Sequence, residues 1–133
     1  MSSDPTQDPE FRSLSTLRKR SGDQTLPVKN KHPFVKDTVL KTLTTSHMRN
    51  EGQRTRLIKE FEKRCELGRQ RYGTYLQPFN GRKVLQDLKE ELWDALVYCH
   101  QAQMEGYDIY VQVESSLWMA IFHVDKLQHK RRN

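Results

Sequence analysis

The sequence predicts an all-α protein, a bundle of helices, and three runs carry that expectation. Leu57, Ile58, Phe61, Cys65, Gly68 and Tyr72 recur at helical spacing. Leu85, Leu88, Leu92, Ala95, Cys99 and Ala102 repeat the pattern further on, and Tyr110, Val113, Leu117, Ala120, Val124 and Leu127 form a third seam. Gly73 and Gly106 stand where the first two runs must stop, because glycine alone adopts left-handed backbone without steric cost.

Residues 1–32 are rich in Ser, Asp, Gln, Pro and Lys and lack sustained periodicity, so they read as an extended or weakly ordered arm. A helical domain is expected over 33–128. Pro33 opens a short helix with Val35, Val39 and Leu43 on its apolar edge, reaching about Met48. The next helix spans about Gln53 to Tyr72. Gly73 to Arg82 contains Pro78, Asn80 and Gly81 and reads as a loop between antiparallel helices. A helix from about Lys83 to Glu105 follows, and Asp108 is placed to cap the last one. Ile109 to Val113 alternates as a short strand would, but the longer seam favours helix. The tail 129–133 is basic and expected to be exposed.

At 133 residues the chain supports one modest core. No apolar run approaches a membrane span, and the N-terminus lacks a signal-peptide segment. Cys65 and Cys99 lie at apolar helical positions without zinc spacing, which reads as two reduced core thiols in a cytoplasmic protein.

The chemistry concentrates in the acidic stripe Asp87, Glu91 and Asp94, which fall within roughly 60° of one another on one helix. Apolar strips flank it, Leu85 to Ala102 on one side and Trp93 with Val97 on the other, while Lys89 and His100 lie across the helix as solvated positions. Half-buried carboxylates need a compensating cation, and several in a row suggest a divalent metal. Charge is uneven: residues 34–82 hold eleven basic against five acidic side chains, residues 83–108 two against six. Phosphate chemistry uses both, carboxylates for metal and Arg or Lys for phosphate oxygens.

Glu62 and Glu66 stand one turn apart on the preceding helix, with Arg69 continuing the stripe. If the two long helices are antiparallel neighbours, these glutamates face Asp87, Glu91 and Asp94 and would repel them unless cations lie between. Oxygen-only ligands favour Mg²⁺ or Mn²⁺.

Glu91-Leu92-Trp93-Asp94, followed by Tyr98, resembles the Glu-x-x-Asp half of the MazG-like all-α nucleoside triphosphate pyrophosphohydrolases. The family's upstream Glu-Glu-x-x-Glu is matched by Glu62-Lys63-Arg64-Cys65-Glu66 at its first and last glutamates, with Lys63 at the second. Arg71-Tyr72-Gly73-Thr74-Tyr75-Leu76 and Asn80-Gly81-Arg82 resemble the loop of small members, closest to the phage dATP/dGTP diphosphohydrolases. The resemblance covers about residues 57–102.

It implies hydrolysis of a (deoxy)nucleoside triphosphate, a purine one such as dGTP or dATP, to the monophosphate and pyrophosphate. It further implies that Glu62, Glu66, Asp87, Glu91 and Asp94 hold one to three Mg²⁺ or Mn²⁺ ions, with Glu62 or Glu66 as the general base. Arg69, Arg82 and Lys83 are then expected on phosphate oxygens, and Tyr75, Trp93 and Tyr98 against the base. A homodimer or homotetramer fits both the family and a thin monomer core. The setting would be the cytoplasm, the host's if the chain is phage-encoded. The competing expectation is a small basic nucleic-acid-binding regulator, which the net charge of +6 favours. The acidic helix argues against it by repelling phosphates.

Overall fold

The computed structural model describes residues 24–45 and 50–130. Among them it has four helices and no strand: α1 Val35–Thr45, α2 Glu51–Tyr72, α3 Val84–Met104 and α4 Val111–Gln128. The fold class is all-α, as expected. No helix among the described residues is long and apolar enough to cross a membrane. The described chain divides into two compact units, Thr25–Arg82 and, beyond it, Gln24 with residues 83–130, so the division falls inside the span expected as one helical domain.

In the Thr25–Arg82 unit, α2 begins because Asn50 is an N-cap: its extended backbone lets the side chain accept from the Gln53 N–H at 3.0 Å. It ends at Gly73, whose φ of 74° carries its N–H back to the Arg69 carbonyl at 2.8 Å. The expected face, Leu57, Ile58, Phe61, Cys65, Gly68 and Tyr72, is half-buried throughout, and α1 contacts α2 with Val35, Val39 and Leu43 half-buried. Met48, the expected limit of the short helix, lies outside the described residues.

The buried residues of this unit are polar. Gln77 and Asn80, in the loop after α2, are 6% and 8% exposed. They are buried because they receive the segment Thr25–Phe34. Gln77 Nε2 donates to the carbonyls of Asn30 and His32, and its Oε1 accepts the Asn30 N–H at 3.1 Å. Asn30 Nδ2 donates to the carbonyls of Pro78 and Phe79, and the Val28 N–H to that of Asn80 at 2.9 Å. Arg82 closes one end on the Thr25 carbonyl; the Val35 N–H closes the other on Leu76. The last part of the expected arm is thus a strap fastened along the loop. Its first 23 residues lie outside the described ones.

In the second unit α3 and α4 form an antiparallel hairpin. The turn closes with the Tyr107 N–H on the Ala102 carbonyl and Gly106 at φ 96°. The N-cap of α4 is Tyr110 with no side-chain capping bond, not Asp108 as expected, because backbone fixed by the Tyr107 closure needs further residues before helix can start. Ile109 and Tyr110 therefore precede the helix, and Val111 to Val113 belong to it rather than to a strand.

The hairpin core is Leu96, Cys99, Ile121 and Val124, with Ile121 and Leu96 only 3% and 5% exposed. The core shares Cys99 and Val124 with the expected seams, whose Leu85, Leu92, Ala95, Ala102, Leu117 and Ala120 are half-buried, but adds Leu96 and Ile121, which the seams did not include. On α3 the contact face runs through Lys89, Leu92, Leu96, Cys99 and His100, while Leu88, expected in the core, is exposed. On α4, Ile121 and Val124 lie at the centre, whereas Tyr110, Val113 and Leu127 are exposed. Lys89 is consequently half-buried rather than solvated, while His100 is exposed as expected. Lys89 Nζ reaches Asp125 at 2.6 Å and Gln128 at 3.1 Å, and His100 pairs with Glu114, all on α4. A lysine stem can lie along apolar surface while its ammonium reaches a carboxylate, which polarity patterning does not register. The Lys89 ammonium holds the Asp125 carboxyl below the usual range. Trp93 meets Trp118 edge-on, ring centres 5.6 Å apart.

Candidate functional site

The carboxylate row on α3 is positioned by what α4 covers. With Leu96 facing α4, Asp87, Glu91 and Asp94 fall roughly 140–180° away at about 100° per residue. They stand about one turn apart along the helix, with Tyr98 one turn beyond Asp94. Glu91 is exposed, and Asp87 and Asp94 are half-buried. Gln24 organises the start of this face: its Oε1 accepts the Lys83 N–H at the N-cap of α3, and its Nε2 donates to Asp87 Oδ1 at 3.1 Å. Gln24 lies in the segment read as arm, and nothing in its local sequence marks it.

The donors here are all oxygens, the set that Mg²⁺ or Mn²⁺ takes. Among the described residues, no three His, Cys, Asp or Glu side chains come together closely enough to hold a metal ion. Mg²⁺ commonly needs one or two carboxylates, with waters and phosphate oxygens completing its shell, so an open row fits it in kind.

The other expected carboxylates belong to the Thr25–Arg82 unit. Glu62 is exposed on α2. Glu66, one turn on, is held from two sides: Arg69 donates to Oε1 through Nε at 2.7 Å and through Nη2, and the Tyr75 hydroxyl donates to Oε2 at 2.8 Å. The Arg69 guanidinium, then the Tyr75 hydroxyl, hold the Glu66 carboxyl below its ordinary range. In turn Glu66 pushes the Tyr75 phenol and the Arg69 guanidinium up. Cys65, between the two glutamates, has its thiol raised by burial.

Of the expected phosphate contacts, Arg69 is committed to Glu66, and Arg82 binds the Thr25 carbonyl through Nη1. Lys83 contributes through its place as N-cap. Of the expected base contacts, Trp93 rests against Trp118 at the rim of an apolar groove of about 540 Å³ with Val97 and Met104. Tyr98 is exposed beside the acidic row. Tyr75 has Lys36 Nζ 4.7 Å and Arg69 Cζ 6.0 Å from its ring centre, with Phe34 edge-on at 5.3 Å.

Sequence reasoning missed Lys29, Asn30, Lys36 and Gln77 around this cluster. The one available signal is Pro27 and Pro33, which bracket the strap and favour extended backbone. No family model matches the chain, nor does any curated protein or solved structure compared with it.

Proposed function

We propose that the chain is a divalent-metal-dependent pyrophosphohydrolase that converts a purine deoxynucleoside triphosphate, such as dGTP or dATP, to its monophosphate and pyrophosphate in the cytoplasm. One observation carries this reading. The Asp87, Glu91 and Asp94 carboxylates repeat about a turn apart on α3, roughly 140–180° around the helix from Leu96, which is buried in the hairpin.

In this reading Asp87, Glu91 and Asp94 supply the oxygens that hold Mg²⁺ or Mn²⁺. Bound there, such an ion would supply charge neutralisation for the triphosphate and a more acidic water for attack beside the α–β bridge. The Gln24 amide keeps Asp87 oriented by donating to it. The motif resemblance assigns Glu62 and Glu66 to the same reaction. Glu66 is kept ionised by Arg69 and Tyr75, and the same hydrogen bonds that hold its carboxyl below the ordinary range make it the weaker of the two candidate bases. Glu62, exposed one turn away, is the other candidate base. Lys83 and the first N–H groups of α3 attract phosphate oxygens. Trp93 and Tyr98 offer aromatic faces to the purine.

We assign the uncovered apolar sides of the hairpin, Val97, Met104 and Phe122, to contact between copies in a homodimer or homotetramer.

The test is pyrophosphate release from a panel of dNTPs and NTPs with Mg²⁺ or Mn²⁺. Purine dNTPs are expected to lead. Glu91→Gln, which removes a charge from an exposed position, is expected to lower turnover by at least about 100-fold, consistent with loss of a metal ligand. Folded wild-type protein that releases no pyrophosphate from any nucleotide overturns the reading.

A further inference from the structure

The Thr25–Arg82 unit contains a cavity of about 290 Å³ where the strap meets the end of α2 and the loop, lined by Lys29, Phe34, Arg69, Thr74, Tyr75 and Gln77, among others. That volume lies near the lower end for small-molecule sites, ~300–1,000 Å³, and is too small for a whole nucleoside triphosphate with its water shell. It suits a phosphate or diphosphate group with part of whatever carries it.

The polar chemistry of the walls is one-sided. Arg69 and Lys29 bring two positive charges to the cavity, and Lys36 brings a third to the Tyr75 ring. The carboxylates in contact with these cations are Glu66, on Arg69, and Asp37, on Lys36 at 3.4 Å. Three cations therefore meet two carboxylates, and Lys29 has no ion pair among the described residues.

Tyr75 does not offer a clean face for stacking, because Lys36 and Arg69 already lie over its ring. Its work is to gather cations. The hydroxyl fixes Glu66, Glu66 fixes Arg69, and the ring's negative face holds the ammonium of Lys36. Phe34 supports the ring from its edge. The amides of Gln77 and Asn30 are spent on the strap, so they fix the wall that carries Lys29.

We infer that this cavity is an anion site for the phosphate groups of a small phosphorylated molecule, with Lys29 and Arg69 as the binding cations, Lys36 adding charge, and the strap as the element that brings Lys29 to the site. The shared chemistry is a phosphate or diphosphate oxyanion, whether free pyrophosphate or the phosphate of a nucleotide. The site deepens the hydrolase reading by giving phosphate a receptor in this unit. Only its nucleotide source rests on that reading.

The experiment is calorimetric titration of the full chain, in EDTA to remove metal, with pyrophosphate in one arm and dGMP in the other. Saturable binding of either, weakened at least about fivefold by Lys29→Gln and retained by Lys29→Arg, is expected. Lys59→Gln removes the same charge from an α2 position that does not line the cavity, and it is expected to change affinity less than about twofold. Tighter dGMP identifies a nucleotide phosphate as the ligand, and tighter pyrophosphate identifies the free anion; both support the site. Absence of saturable binding in both arms overturns the inference. So does equal weakening by Lys29→Gln and Lys59→Gln, which would mean diffuse attraction by a basic surface. Lys29 is exposed, so its replacement leaves folding intact, and circular dichroism verifies this. Binding is read without metal or turnover. A chain that binds pyrophosphate through Lys29 but hydrolyses nothing keeps this site and loses the hydrolase reading; the converse result does the opposite.

Discussion

Glu66 is where ionisation and geometry are most tightly linked. Its carboxylate takes hydrogen bonds from Arg69 and from Tyr75, and both favour the charged form, so its pKa lies below the ordinary 4.5. The sign follows directly. A depressed carboxyl pKa means that the pair contributes fully above the ordinary value and is lost as pH falls through the lower, folded one. An NMR titration of the Glu66 side-chain carboxyl is expected to give a midpoint below 4.5, and Arg69→Ala is expected to move it upward. An unmoved midpoint in the variant would show that the guanidinium is not the cause. The group is solvent-accessible, so the consequence belongs to local geometry rather than to global stability. Residues 62–66 show the two glutamates in the sequence, but not that Tyr75, in the following loop, would supply a second hydrogen bond. A hydrogen bond across nine residues and a helix end leaves no periodicity to read.

At the scale of elements, the hairpin core makes a clear forecast. Ile121→Ala empties a site that is 3% exposed and should cost about 2–5 kcal/mol in a denaturant titration. Tyr110→Ala, in the seam that the spacing suggested, should cost less than about 0.5 kcal/mol, as substitutions at exposed positions do. The reverse ranking would mean that Tyr110 rather than Ile121 packs in the hairpin core. Gly73→Ala, forced to φ 74°, should destabilise by about 1 kcal/mol. Helix ends were legible where a glycine stop is local, as at Gly73 after α2 and Gly106 after α3, whereas the Asn50 cap lies ahead of the start expected at about Gln53. Helix faces were less so. On α3 too many positions are apolar for the pattern to choose one side, so spacing alone did not place Leu96 at the centre and Leu88 outside it. The strap was the least legible element. Its order comes from side-chain amides meeting backbone carbonyls more than forty residues away, which no local window contains.

At the scale of the whole molecule, a basic stretch over residues 34–82 is followed by an acidic one over 83–108. In the proposed enzyme these are the phosphate-attracting and metal-holding parts of one chemistry. Exposed Val97, Met104 and Phe122 leave the hairpin with more uncovered apolar surface than its own core needs, and Met104 is 88% exposed. Sedimentation of the wild type is therefore expected to give a dimer or larger, and Val97→Glu with Phe122→Glu to give a monomer. A monomeric wild type would remove the oligomer from the account. The carboxylate row was legible in the sequence as a stripe, since Asp87, Glu91 and Asp94 need only helical spacing to align. Its relation to α4 required the structure. The central claim concerns what that row does, and ³¹P NMR of the products formed from dGTP with Mg²⁺, for wild type beside Glu91→Gln, tests it most directly. The account predicts dGMP and pyrophosphate from the wild type and almost no turnover from the variant; dGDP and phosphate, unreacted dGTP, or equal turnover by both proteins would contradict it.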